Sequence, residues 1–271
     1  MAFFKNDDKK LEAVKKAVEK RENEKSFLLD ENTPFNVVEA FRNLKVSISV
    51  SVPKKAGRGT SLTITSSYPE EGKTTVSVNL ATMFAMSSSA KVVIVDADIR
   101  KGRVAKTFGG KSSQGLSEYL SGQATLDDVI RKSGANDNLD YISCGTRSPK
   151  PYELLESEMM KELDEKLRAR YDYVIYDTPP LLLVSDGIAV ASIADGTIIV
   201  CRHMRSYESD IVKSINTLKF SDINVLGVVV NDYKKTEKSV VGYNRYYNYA
   251  KYSNSYGANS LEDDVDGKNE E

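Results

Sequence analysis

The chain predicts an α/β fold: a mostly parallel sheet covered by helices on both faces. Three observations predict it. Short β-branched or apolar runs recur, namely "SLTIT" (61–65), "KVVIVD" (91–96), "LDYIS" (139–143), "YDYVIYD" (171–177), "GTIIVC" (196–201) and "INVLGVVVND" (223–232). Stretches of helical periodicity separate each successive pair. Several runs, "KVVIVD" above all, are apolar throughout instead of alternating, as strands buried on both faces are. Strands alternating with helices imply right-handed crossovers and parallel neighbours. A chain of 271 residues with 40% hydrophobic content can bury one such core plus short terminal extensions.

Taken in order, residues 9–25 place Leu11, Val14 and Val18 on one helical face amid charge, which predicts a solvated helix. "NTPFNVVEAFRNLKVSI" (32–48) reads as a helix start, with Thr33 to cap, Pro34 in the first turn and apolar residues following at helical spacing. "PKKAGRG" (53–59) ends it. Further helices are expected from Lys73 to about Met86, over 115–121 and 125–132, from about Tyr152 to Arg170, around 187–194 and over 207–219. Regular structure is expected to end near Lys235. The organisation is therefore a charged extension (1–32), a helical region (33–58), a nucleotide-binding domain (59–235) and a polar tail (236–271).

Charge and cysteine content exclude several classes. The formal net charge is −1, from 38 basic and 39 acidic side chains, so no global field points to nucleic acid or a membrane surface. Cys144 and Cys201 are isolated, which fits a reducing compartment and no disulfide framework or zinc site. "MAFFK" is too short for the apolar core of a signal peptide. The longest apolar region, 181–201, is interrupted by Asp186, Asp195 and two glycines, well short of the ~20 apolar residues that span a bilayer. The chain is expected to be soluble by itself.

The stretch that carries chemistry is "SLTITSSYPEEGKTTVSVNLA" (61–81). A strand enters a tight loop, Ser67 through Pro69 and Glu71, and Gly72-Lys73-Thr74-Thr75 opens a helix. Backbone N–H groups and the positive end of the helix dipole make that start an anion site. Lys73 can reach β- and γ-phosphates, and the Thr74 hydroxyl can ligate Mg²⁺. A GKT triplet alone occurs often by chance, but the strand before it and the helix after it make this a phosphate loop. The fold is accordingly expected to be P-loop NTPase-like. Ser67 stands where the usual pattern has glycine. Glu70 and Glu71 would repel a triphosphate if they faced it, so they must point outward, towards magnesium or towards a neighbouring subunit.

In "VVIVDADIRKGRV" (92–104), Asp96 and Asp98 lie at the carboxyl end of a buried strand, with Arg100 two residues on. Ligands of open parallel sheets bind outside those ends. Residues at i and i+2 point the same way, so both carboxylates can face one metal–phosphate site. A third acid, Asp177, ends "YVIYD". Magnesium keeps several waters, so Thr74 with one or two of these acids, Asp96 and Asp177, suffices.

The last motif is "GYNRYYNYAKYSNSYG" (242–257), which holds six of the chain's fifteen tyrosines with no Leu, Ile, Val or Phe between them. Its composition reads as disordered. Together, the loop at 66–75, the D-x-D-x-R at 96–100, the strand ending at Asp177 and this cluster resemble the bacterial tyrosine kinases (BY-kinases) of capsule and exopolysaccharide synthesis. "PKPYELLES" (149–157), "YDTPPLLLVSD" (176–186) and "LGVVVND" (226–232) also look familiar, and the likeness covers roughly 33–256. The resemblance implies Mg·ATP as donor and Tyr243, Tyr246, Tyr247, Tyr249, Tyr252 and Tyr256 as acceptors. Lys73 and Mg²⁺ would offset charge on the transferring group, with Arg100 beside them, and Asp98 or Asp96 would accept the phenol proton, Asp98 being favoured. Asn231, at the end of the last strand, would meet the adenine edge as in related ATPases, or else serve as a turn residue before Asp232.

"EAFRNLKVSI" (39–48) matches the family's E-x-x-R-x-x-R helix, which packs subunits into a ring, at Glu39 and Arg42. The second arginine is Lys45, which lacks the planar fork for bidentate pairing. The resemblance further implies a cytoplasmic kinase drawn to the inner face of the cell membrane by the cytoplasmic tail of a transmembrane activator, and a cognate tyrosine phosphatase. The alternative is a switch ATPase of the septum-positioning or partitioning type, but those carry an extra lysine in the loop where this chain has Tyr68, Pro69 and Glu70. An iron–sulfur scaffold would need a C-x-x-C. Nucleic-acid stacking by the tail is disfavoured by two basic residues within the cluster. A eukaryotic-type kinase is excluded, since no H-R-D loop or D-F-G occurs and His203 is the sole histidine.

Overall fold

The computed structural model describes residues 28–233, apart from 54, 88, 89 and 112. The helix expected at 9–25 and the tyrosine cluster lie outside the described residues. Among the described residues, seven strands form one sheet: β1 (Thr60–Ser66), β2 (Val92–Asp96), β3 (Ile130–Lys132), β4 (Leu139–Ile142), β5 (Tyr173–Asp177), β6 (Gly196–Arg202) and β7 (Val225–Asn231). Their order is β3-β4-β2-β5-β1-β6-β7. Every pairing is parallel except β3 with β4. The helices are α1 (Phe35–Ser51), α2 (Lys73–Ser87), α3 (Val104–Thr107), α4 (Leu116–Leu120), α5 (Leu126–Val129), α6 (Pro151–Leu155), α7 (Glu158–Arg170), α8 (Asp186–Ala191) and α9 (Glu208–Phe220).

The apolar runs are buried strands for the reason their composition suggests: helices cover both faces. On one face Leu62, Ile64 and Ile94 pack with Leu80 and Phe84 of α2. On the other, Val93, Val95 and Tyr176 pack with Met160, Leu163 and Leu167 of α7. Helix α1 lies over α2, burying Ile48 and packing Phe41 and Leu44 against the first cluster, while Phe35, Val46 and Val50 stay exposed.

Where β1 turns its second face to α7 the contact is ionic instead of apolar. Arg168 is buried to 3% exposure. It donates to the Gly59 carbonyl at 2.8 Å, to Ser61 Oγ at 3.1 Å and to Asp164 at 3.2 Å, and it also pairs with Asp195. Tyr176 donates to the other Asp164 oxygen at 3.0 Å. One guanidinium thus ties α7, β5, the start of β1 and the turn before β6 together.

Several local expectations differ from the structure. Thr33 does not cap α1: its hydroxyl bonds back to Asp30 at 2.9 Å, and the Pro34 carbonyl accepts the first helical N–H groups. Residues 130–132 form the antiparallel edge strand β3 and not the end of a helix. The capping box of Thr125 and Asp128 starts a single turn, after which pairing with β4 outweighs helical periodicity. The long helix from 152 is two helices. Ser157 is extended and its hydroxyl donates to the Leu154 carbonyl at 2.7 Å, which breaks the run before α7. Helix α3 had no counterpart in the periodicity, and β7, expected over 223–232, spans Val225–Asn231.

Candidate functional site: a phosphate loop at the strand ends

The carboxyl ends of β1, β2, β5 and β7 converge on residues 67–75. The φ angles explain how a loop without the usual first glycine closes. Ser67 is buried and turned away from the loop interior, its hydroxyl 2.9 Å from that of Ser214 on α9. Left-handed backbone falls instead at Glu70 (φ 64°) and Gly72 (φ 91°). Of the two acids only Glu70 points outward; Glu71 is buried and turned towards the β6–α9 turn. Glu71 accepts the Tyr68 N–H at 2.8 Å and the Ser206 hydroxyl, while Glu70 lies 3.7 Å from Arg205 on the surface.

Gly72 has a second constraint besides its φ. A Cβ there would sit 1.9 Å from Asn231 Nδ2, which donates to the Glu71 carbonyl at 3.1 Å. Gly72→Ala is therefore expected to displace Asn231 or distort the loop, at a cost of about 1–3 kcal/mol. Its nucleotide affinity, read by calorimetric titration, should fall by at least about tenfold. Unchanged affinity would mean that this approach is not needed.

Inside the loop the charged groups meet. Lys73 Nζ lies 3.4 Å from Asp98 Oδ2. Thr74 Oγ1 donates to Asp177 Oδ2 at 2.6 Å, and Ser77, one turn on, donates to Asp177 Oδ1 at 3.0 Å. Asp96 stands directly opposite Asp177 in the β2–β5 register. One Asp96 oxygen accepts the Val104 N–H at 2.9 Å; the other, Oδ1, is buried without a hydrogen-bond partner. Burial, then the Asp177 carboxylate, pushes Asp96 well above the usual carboxylate range. Burial raises Asp177 as well, opposed by Lys73, Thr74 and Ser77. Asp98 accepts the Lys101 N–H at 2.9 Å.

Arg100 takes another direction. Its Nε and Nη2 fork onto Asp186 at the start of α8, at 2.6 and 3.1 Å, and do not join the Lys73 group. Asn231 is engaged by the loop backbone. Among the described residues no three His, Cys, Asp or Glu side chains enclose a metal ion by themselves. A hydroxyl, Asp177 and an orphaned Asp96 oxygen are nevertheless the partial oxygen set that suits Mg²⁺ when phosphates and water complete its shell.

Five participants had escaped sequence reading. Ser77 was discoverable, lying on the helix face of Lys73 and Thr74. Asp186 closes the stretch "YDTPPLLLVSD" but nothing in it marks a partner for Arg100, and Arg202, Ser206 and Ser214 carry no local signal. On α1, Glu39 and Arg42 form an ion pair with each other, and Lys45 follows on the same helix.

The fold and the loop define a nucleotide-binding α/β protein of the phosphate-loop class. A family profile described as an AAA domain matches residues 70–225. "Tyrosine-protein kinase YwqD" of Bacillus subtilis strain 168 is 33% identical over 205 residues, 76% of this chain and 85% of that protein. "Putative tyrosine-protein kinase in cps region" of Klebsiella pneumoniae is 35% identical over 231 residues, 84% of this chain but 31% of the relative, so the chain spans about a third of that longer protein. The solved kinase domain of Escherichia coli tyrosine kinase ETK superposes with a TM-score of 0.69 at 34% identity, covering 77% of this chain and 84% of that one. The chain belongs to the bacterial tyrosine-protein kinase family.

Proposed function

We propose that the chain is an Mg·ATP-dependent protein-tyrosine autokinase whose acceptors are Tyr243, Tyr246, Tyr247, Tyr249, Tyr252 and Tyr256. In this reading its phosphorylation state regulates capsular or extracellular polysaccharide synthesis. The observation that carries the proposal is the meeting of Lys73, Thr74, Asp96, Asp98 and Asp177 at one phosphate loop. Thr74, Asp177 and Asp96 would hold Mg²⁺, which would offset charge on the phosphoryl group that ATP supplies.

The residues of the chain then have distinct tasks. Lys73, which pairs with Asp98, would exchange that partner for the phosphates. The exchange leaves Asp98 uncompensated beside the reacting group, where it can take the proton of a phenol whose pKa is about 10. Asp96 is the less suited base in this reading, because its oxygen without a hydrogen-bond partner is the one that would help to hold Mg²⁺. Backbone N–H groups of Gly72 to Thr75 bind the phosphate oxygens. Arg100 orients the D-x-D-x-R segment through Asp186, and Asn231, which donates to the Glu71 carbonyl, is assigned to the adenine edge on the likeness to related ATPases.

The family setting supports the remaining assignments: self-association through α1 at Glu39, Arg42 and Lys45, activation by the cytoplasmic tail of a transmembrane partner, and reversal by a tyrosine phosphatase. Recruitment to the inner membrane face would come from that partner; among the described residues no helix is long and apolar enough to cross a membrane. The direct test is phosphosite mapping by mass spectrometry after incubation with Mg·ATP and the partner's tail, beside a chain whose six cluster tyrosines are phenylalanine. Phosphate on 243–256 in the first and none in the second is expected. An unmodified cluster in a chain that binds ATP would overturn the proposal and favour a switch ATPase.

A further inference from the structure

The outer side of the phosphate loop is held by a segment that the chemistry above does not use. In the turn between β6 and α9, Ser206 Oγ accepts the Arg202 N–H at 2.7 Å and donates to Glu71 Oε1. The other Glu71 oxygen holds the Tyr68 N–H. Arg202 forks onto Asp232 at 3.0 and 2.9 Å and reaches the Glu70 carbonyl at 3.2 Å. Glu71 is 5% exposed. Among the described residues, three of the four non-glycine positions with positive φ fall in these three segments: Glu70 at 64°, Met204 at 62° and Asp232 at 53°. Such backbone is strained and persists where its surroundings hold it in place.

We propose that Ser206 and Arg202 are positioning residues for the nucleotide, acting through Glu71 and the Glu70 carbonyl. The inference rests on the nucleotide reading given above. A loop spelled Tyr-Pro-Glu-Glu lacks the glycines that let a phosphate loop shape itself, so its open form has to be imposed from outside. The same bonds keep a buried carboxylate facing away from the phosphates. Without the Ser206 hydroxyl, Glu71 loses one of its two anchors and is free to turn its charge towards them, which weakens binding twice over: the loop relaxes and the anion is repelled.

The test is calorimetric titration of the full chain with Mg·ATP, beside phosphorylation kinetics and melting temperature. Ser206→Ala should weaken nucleotide affinity about tenfold, the scale of one hydrogen bond to a charged group. The turnover rate at saturating ATP should stay within about twofold, because groups acting at the transition state are untouched. Ser206→Thr, which restores the hydroxyl, should recover the affinity. On a Glu71→Ala background Ser206→Ala should add little, since the serine acts through the carboxylate. Should Ser206→Ala fold poorly, Arg202→Lys, which keeps the charge and loses the fork, should still weaken binding several-fold. Wild-type affinity in Ser206→Ala, failure of threonine to rescue, or full additivity with Glu71→Ala would each overturn the inference. If the wild-type chain itself binds no nucleotide, the nucleotide reading fails first and this one with it.

Discussion

Lys73→Met is expected to reduce phosphate incorporation on the order of 100- to 1,000-fold while the chain stays folded. The substitution keeps the unbranched stem and removes one positive charge from a site with three carboxylates. A preorganised charge in a partly buried site acts on the transferring group far more strongly than it would in water, and losing one such contact costs about that factor. Lys73 is also what pulls Asp177 down against the cost of its burial. In the variant the carboxylates therefore repel one another more, which opposes entry of a further anion. Lys73→Arg should not rescue in full, because the guanidinium is a planar fork where a compact point charge is needed. Intact-mass measurement over a time course with Mg·ATP reads both. Transfer by Lys73→Met within tenfold of wild type would remove the lysine from the chemistry.

Arg168→Ala is expected to destabilise the fold by about 3–5 kcal/mol, a large part of a domain's total stability. The substitution leaves Asp164 buried on α7, against Tyr176 of β5, with its main cation gone, and frees a carbonyl and a hydroxyl of the β1 entry at the same time. The loss should depend on pH. Burial already holds Asp164 above its ordinary value, with Arg168 pulling the other way. Removing the arginine raises it further. A carboxylate whose folded pKa lies above its unfolded value of about 4 loses stability as pH rises from that value through the folded one, so the penalty should be smallest in acid. Denaturant midpoints across pH measure this. A loss under 1 kcal/mol at neutral pH would show that the pair is dispensable. Since β1 feeds the phosphate loop, a weakened chain should also bind nucleotide less well.

The two variants test different levels of the molecule, and they were legible to different degrees. Lys73, Thr74, Asp96, Asp98 and Asp177 stand out in the sequence because their signals are local: a strand, a turn, a triplet at a helix start and acids at the ends of apolar runs. Periodicity likewise located the strands at 92–96, 173–177 and 196–202 to within a residue or two. It failed at 130–132, where three residues have no intrinsic preference strong enough to resist pairing with β4. It failed again at Ser157, where one hydroxyl bonded to a backbone carbonyl ends a turn that the apolar spacing would have continued.

By itself, then, the sequence determined the α/β class, the phosphate loop and the acids that face it, and its combined motifs carried the resemblance to the family. The first three follow from period, composition and spacing within short windows. The tertiary structure alone decided where Arg100 points, what anchors the buried Glu71 carboxylate and what Arg168 holds together. Arg100 meets Asp186 across 86 positions, Glu71 meets Ser206 across 135, and Arg168 meets Gly59 across 109. A polar side chain takes its direction from whichever partner the fold brings within 3 Å or so, and no local pattern encodes that partner.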